Sequence, residues 1–159
     1  MTLQVREALP QDFPFIRELA AVSGLSSVSP LRKRPPEEIQ QAIKSALSSL
    51  PEIFRAGSPF RLFTAADENN LFLGYLLLQI ELDYITGQRQ VLVVDFAVSP
   101  SFRKHGVGSM LLKKAEEFAG QMGIKAVAAL VTTSNEPSLH TFLKQNYVEE
   151  STLLLKCLP

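Results

Sequence analysis

An α+β fold, with a mixed and mostly antiparallel sheet flanked by helices, is predicted by three observations. Strand and helix patterns follow one another in the order β-α-α-β-β-β-α-β-α-β, with room for one more closing strand. The apolar runs Phe60 to Ala66 and Leu71 to Leu82 flank Asp67-Glu68-Asn69-Asn70, a turn sequence that makes an antiparallel hairpin. Val91 to Val98 and Lys125 to Thr132 are joined through a helix, so those two strands should lie parallel.

Each element has its own signal. Leu3 to Ala8 alternates as a half-buried strand does. Pro10-Gln11-Asp12 opens a helix whose apolar side is Phe13, Ile16, Leu19 and Ala20. Ser23 to Arg34 holds serines, Gly24, Pro30 and the basic run Arg32-Lys33-Arg34, and reads as a loop. Pro35-Pro36-Glu37-Glu38 starts a second helix carrying Ile39, Ile43, Ala46, Leu47 and Leu50, which Pro51 should stop. After the hairpin, Asp83 to Gln90 with Gly87 leads into Val91 to Val98, a β-branched run closed by Ser99-Pro100. Val107, Met110, Leu111, Leu112, Ala115, Phe118 and Ala119 then recur at helical spacing, with Gly120 or Gly123 placed to end the helix. Lys125 to Thr132 is a short strand and Pro137 to Gln145 a helix. Val148 to Leu158, with the single Cys157, reads as one or two closing strands.

Composition bounds the class. The chain has 159 residues, 46% of them hydrophobic and 20% charged, which is enough apolar material for one domain spanning residues 1–159. Sixteen basic and sixteen acidic residues cancel, so no overall field points to nucleic acid or an anionic membrane. One cysteine excludes an internal disulfide and a cysteine-based metal cluster; two distant histidines, His105 and His140, add no metal site. The N-terminal residues lack the apolar core of a signal peptide and no apolar run is long enough to span a bilayer, so a cytoplasmic protein is expected, as monomer or homodimer.

The stretch with most chemical content is Arg103-Lys104-His105-Gly106-Val107-Gly108-Ser109, lying between a strand and an amphipathic helix. The first N–H groups of such a helix have no acceptor within it, and its dipole puts partial positive charge there. Glycines let a ligand approach the backbone, and Arg103, Lys104 and His105 bring cationic side chains. A phosphate or pyrophosphate is the expected guest. The third glycine of a dinucleotide fingerprint is missing, and so is the Gly-Lys-Ser/Thr of a P-loop.

With its flanks, this stretch resembles the acetyl-CoA loop of the GNAT superfamily of N-acetyltransferases: Arg or Gln, two residues, Gly, one residue, then Gly or Ala. Arg103, Gly106 and Gly108 meet that pattern. The resemblance implies that the backbone of Phe96, Ala97 and Val98 lines the pantetheine arm of acetyl-CoA, and that the amides from Lys104 to Ser109 take its pyrophosphate. A second match runs from Asn135 to Tyr147, where Asn135 and Ser138 fit the family frame and Asn146-Tyr147 replaces Gly-Phe. It implies that Asn135 binds the cofactor; without it, Asn135 is simply a helix N-cap. Phe142 stands where many members carry a tyrosine proposed to protonate the leaving thiolate, and it has no hydroxyl.

The implied reaction is direct transfer of an acetyl group to an amine of a small molecule or peptide. It needs a proton acceptor and a donor to the developing oxyanion, the latter the backbone N–H near Val98. Asp95, Glu81 and Asp83 are the candidate bases. Asp95 stands first, because a carboxylate inside an apolar strand has a raised pKa. A non-catalytic acyl-CoA-binding module of the same fold is the alternative that Phe142 keeps open. His140 is expected at the surface, and Arg32-Lys33-Arg34 would favour an acidic acceptor if it lined the acceptor pocket.

Overall fold

The structure, a computed structural model, describes residues 2–53 and 55–158. Five strands form one sheet in the order β1 (Leu3–Glu7), β2 (Phe60–Asp67), β3 (Phe72–Leu82), β4 (Arg89–Val98), β5 (Val127–Ala129). The first three neighbouring pairs are antiparallel; β4 and β5 are parallel. Helices α1 (Phe13–Ser23), α2 (Pro36–Ala46) and α3 (Leu50–Ile53) lie between β1 and β2. α4 (Val107–Gln121) crosses from β4 to β5, and α5 (Glu136–Lys144) follows. The mixed α+β architecture is the one the sequence predicts.

Two bulges set which side chains share a face. Leu73 is inserted in β3 opposite Ala65 and Ala66, and Val94 in β4 opposite Leu77 and Leu78. Each extra residue reverses the parity of its strand. Val91, Val93, Phe96 and Val98 therefore all pack on the α4 side, with Leu76, Leu78, Val107, Leu111, Leu112 and Ala115. Ala97 packs on the opposite side, with Tyr75, Leu77, Ile16, Leu19 and Ala20 under α1. Burial of each such aliphatic side chain is worth about 1.5–3 kcal/mol. Gly74 is needed for close strand approach, since a Cβ there would lie 2.5 Å from the Ala97 carbonyl oxygen.

Some elements differ from expectation. The closing strands expected over Val148 to Leu158 do not form: Val148, Leu153, Leu154 and Leu158 are exposed, and the exposed Cys157 sulfur lies 3.2 Å from the Leu31 carbonyl oxygen. β5 explains this, for its three residues offer too little edge to template a partner, and Leu153-Leu154-Leu155 has no alternation to select a face. Leu130, assigned to the β5 strand by its hydropathy, lies beyond its end and is 76% exposed. Pro51 does not end the helical path either. α2 stops at Ala46, a single 3₁₀ turn follows, and Pro51 sits in the first turn of α3, where its missing N–H costs nothing.

A polar clamp joins β1, α1 and β2. Arg6 Nη1 and Nη2 donate to the two oxygens of Asp12 at 2.7 and 3.2 Å, the Leu9 amide donates at 2.8 Å and the Thr64 hydroxyl at 3.0 Å. Burial alone would raise the Asp12 carboxyl, but Arg6, the Leu9 amide and Thr64 together outweigh it and hold the pKa below the ordinary value. A lowered carboxylate pKa stabilises the fold above about pH 4 and loses that contribution as pH falls through the folded-state value. Asp12→Ala should therefore cost about 3 kcal/mol in urea denaturation at pH 7, and the difference from wild type should shrink as the pH is lowered below about 4.

Candidate functional site

The site is an opening in the sheet. β4 pairs with β5 only through Val91, Leu92 and Val93, matched to Val127, Ala128 and Ala129. Beyond Val93 the bulge at Val94 intervenes and β5 ends, while β3 continues to pair with β4 from Asp95 to Val98. Among the described residues, the β5-facing edge of Asp95 to Val98 thus has no strand partner. The chain after β5 leads away, and the Thr132 hydroxyl donates to the Ser27 carbonyl in the segment that follows α1.

At the open end of β4 the chain turns into α4. The Phe102 and Arg103 amides bond back to Ser99 and Pro100, and Lys104 and Gly106 take left-handed φ values of 63° and 81°. That alternation of hand curls the backbone so that successive N–H groups point to one side, the concave arrangement that holds anions. Gly106 is the N-cap and supplies no side-chain cap to the first turn of α4. Arg103, Lys104 and His105 are exposed around it. Arg103 Nε donates to the Val98 carbonyl at 3.3 Å, and His105 Nδ1 lies 2.7 Å from the Arg103 carbonyl, so both side chains brace the loop.

The two glycines differ. A Cβ on Gly106 would meet nothing within 4 Å, so glycine is there for its backbone hand. A Cβ on Gly108 would lie 3.5–3.8 Å from Thr141, Phe96 and Val98, ordinary contact distances, so the packing of α4 against β4 and α5 leaves room for one. Val107 is buried in the core and offers the site only its amide. The Ser109 hydroxyl accepts from Gln145 Nε2 at 3.2 Å, tying α4 to the end of α5.

Asn135 caps α5, its Oδ1 accepting from the Ser138 amide. Phe142 is buried between Phe96 and Tyr147, with ring centroids 5.3 and 5.1 Å away and both contacts edge-on. Tyr147 does not stand in for the missing hydroxyl. Its own hydroxyl is buried with no partner among the described residues, and burial, then the charge of Glu116, pushes its pKa up to about 12. Glu116 is nine residues into α4, about 14 Å along the helix from the loop. His140 is exposed on α5.

Of the three candidate bases, only Asp95 lies at the opening. Glu81 pairs across to Gln90, whose amide donates to it at 2.9 Å, eight residues or about 26 Å along β4 from Val98. Asp83 is spent on a turn, accepting from the Thr86 amide and hydroxyl, and those bonds lower its pKa. Asp95 projects to the α1 side, where the Tyr75 hydroxyl donates to its Oδ2 at 2.5 Å. Burial raises the Asp95 pKa, and the bonds from Tyr75 and the Phe96 amide only partly offset it. Tyr75 is not among the residues the sequence singles out, although a signal is present: one hydroxyl within Leu73 to Leu78 and one carboxylate within Val91 to Val98 must each find a buried partner. Arg32, Lys33 and Arg34 are exposed, and Arg34 pairs with Glu38 on α2.

The family model of the GNAT acetyltransferases matches residues 25–147. The uncharacterized N-acetyltransferase YhfO of Bacillus subtilis is 28% identical over 93 residues, 58% of this chain and 62% of that protein, so less than two thirds of that relative is matched. Among solved structures, one described as an acetyl transferase from Pyrococcus furiosus aligns with a TM-score of 0.80 at 23% identity, over 99% of this chain and 100% of that one. The aminoglycoside N-acetyltransferase AAC(6')-Iy in complex with CoA aligns at 0.74 and 18% identity, over 99% and 95%.

The glycines make a paired prediction. Gly106→Ala forces a side chain into a left-handed backbone and should lower stability by about 1 kcal/mol, visible as a reduced Tm. Gly108→Ala has ordinary space and a helical backbone, and should leave the Tm unchanged or raise it.

Proposed function

Because the chain belongs to the GNAT acetyltransferase family, we propose that it is an N-acetyltransferase that uses acetyl-CoA to acetylate an amine of a small molecule or peptide. The observation that carries the reading is the parting of β4 from β5 directly beside the amide-lined turn into α4. A CoA ligand presents two amides in an extended arm and a pyrophosphate at its far end. The edge of Phe96, Ala97 and Val98, which has no strand partner among the described residues, fits the first, and the backbone of Lys104 to Ser109 fits the second. Arg103 and Lys104 add positive charge beside the phosphates. Asn135, the N-cap of α5, supplies an amide side chain to the cofactor.

Acetyl-CoA supplies an acyl group already activated as a thioester. The residues must then orient it, polarise its carbonyl and remove a proton from the attacking ammonium. The N–H near Val98 serves as the donor to the carbonyl oxygen. Asp95 serves as the base: three residues before Val98, and raised by burial from its ordinary value, it is a stronger proton acceptor than a surface aspartate. Phe142 brings no acid. A thiol of ordinary pKa near about 8.5 is a fair leaving group as its thiolate, so the reaction does not require one.

Two measurements test the reading. Acetyl-CoA at about a hundred times its Kd should stabilise the protein by about 2.7 kcal/mol, read as a rise in Tm; no rise removes the family ligand from this chain. Thiol release with an amine panel should fall at least about a hundredfold in Asp95→Asn and, in wild type, increase with pH through the raised Asp95 pKa. Binding with no turnover on any amine would favour an acyl-CoA-binding module instead.

A further inference from the structure

The Tyr75–Asp95 pair asks for a reason. Tyr75 is 1% exposed on β3, and it sits opposite Ala97 rather than Asp95, so its hydroxyl reaches diagonally along the sheet to Oδ2 at 2.5 Å. That reach exists because Asp95 and Ala97, two residues apart on β4, share a face, and the Val94 bulge turns that face away from the one Val91 and Val93 occupy. We propose that Tyr75 is a positioning residue for the acetyl transfer, fixing Oδ2 of Asp95 so that Oδ1 is the oxygen that takes the proton from the acceptor ammonium. This inference rests on Asp95 acting as the base.

The argument is one of lone pairs and protons. A hydroxyl that keeps its proton donates to Oδ2 in both states of the carboxyl, which lowers the basicity of that oxygen and favours Oδ1 as the one that takes the transferred proton. Tyr75 keeps its proton, since burial and then the Asp95 charge push its ionisation well above the ordinary value of 10. The groups that act on Asp95 are Tyr75 from β3 and the Phe96 amide of β4 itself, and neither is charged. α1 covers this face with Ile16, Leu19 and Ala20. When the ammonium gives up its proton, Asp95 becomes neutral, the amine lone pair attacks the thioester carbon, the carbon–sulfur bond breaks to release the CoA thiolate, and the second proton on the acylated nitrogen passes to water to leave the neutral amide.

Removing the hydroxyl withdraws a bond that favours the carboxylate, so the Asp95 pKa rises further. In the full-length protein labelled with ¹³C-carboxyl aspartate, Asp95 is assigned as the signal lost in Asp95→Asn. Its midpoint should then move up by about one unit in Tyr75→Phe. The acid limb of kcat/KM on the best amine of the panel should move by the same amount. An unmoved midpoint, with or without a change in Tm, overturns the proposal. Should Tyr75→Phe fail to fold, the ¹³Cζ signal of Tyr75 in wild type must shift at the Asp95 midpoint, and a flat signal overturns it equally. If Asp95→Asn retains full turnover, the base reading itself fails; if it is inactive while the Tyr75→Phe midpoint stays put, only the role of Tyr75 fails.

Discussion

Val94 adds to β4 one residue that β3 does not match, and the consequences run through the whole site. The bulge ends the run of regular pairing just where β5 stops, so the strands part and a stretch of backbone keeps its hydrogen-bonding edge. It also reverses which residues look toward which layer. Without it, Asp95 would share a face with Val91 and Val93, whose neighbours are the aliphatic side chains of α4. With it, Asp95 lies beneath α1, within reach of the one hydroxyl that β3 carries. One inserted residue thus makes both the slot for an extended ligand and the environment of a carboxylate.

The parting is held open from both sides. On the α4 side, Phe96, Phe142 and Tyr147 pack edge-on and join β4 to α5. On the α1 side, the clamp of Arg6, Asp12 and Thr64 fixes the entry to α1, and the Thr132–Ser27 bond links the chain beyond β5 to the segment after it. A slot between two strands is under constant pressure to close by pairing. Here the packed layers carry that load, which leaves the slot polar and without a strand partner among the described residues.

The sequence makes the architecture legible because its signals are local. Asp67 to Asn70 between apolar runs, the β-branched Val91 to Val98 and the helical repeat from Val107 each point one way, and each element forms. The loop from Arg103 to Ser109 is legible for the same reason, since glycines between a strand and a helix constrain the backbone directly. The bulges are not, because a continuous apolar run looks identical whether or not one residue is skipped by its partner. Hydropathy alone misleads over Val148 to Leu158: a strand needs an edge, and β5 is three residues long. The pairing of Tyr75 with Asp95 depends on the bulge and is invisible for the same reason, although each polar atom on its own announces that it requires a partner.

Phe142 then takes on a different meaning from a lost catalytic group. Its ring is the middle member of the aromatic row from Phe96 to Tyr147, in contact with the very strand whose backbone lines the slot. A hydroxyl there would have to emerge from that row or be buried without a partner, as the Tyr147 hydroxyl already is at the other end. Two unsatisfied hydroxyls in one small cluster would cost about 1–3 kcal/mol each. A phenylalanine keeps the row apolar and rigid. The proposed chemistry is accordingly weighted toward removing the proton of the amine, the role proposed for Asp95, and away from protonating the thiolate, which leaves unaided at little cost.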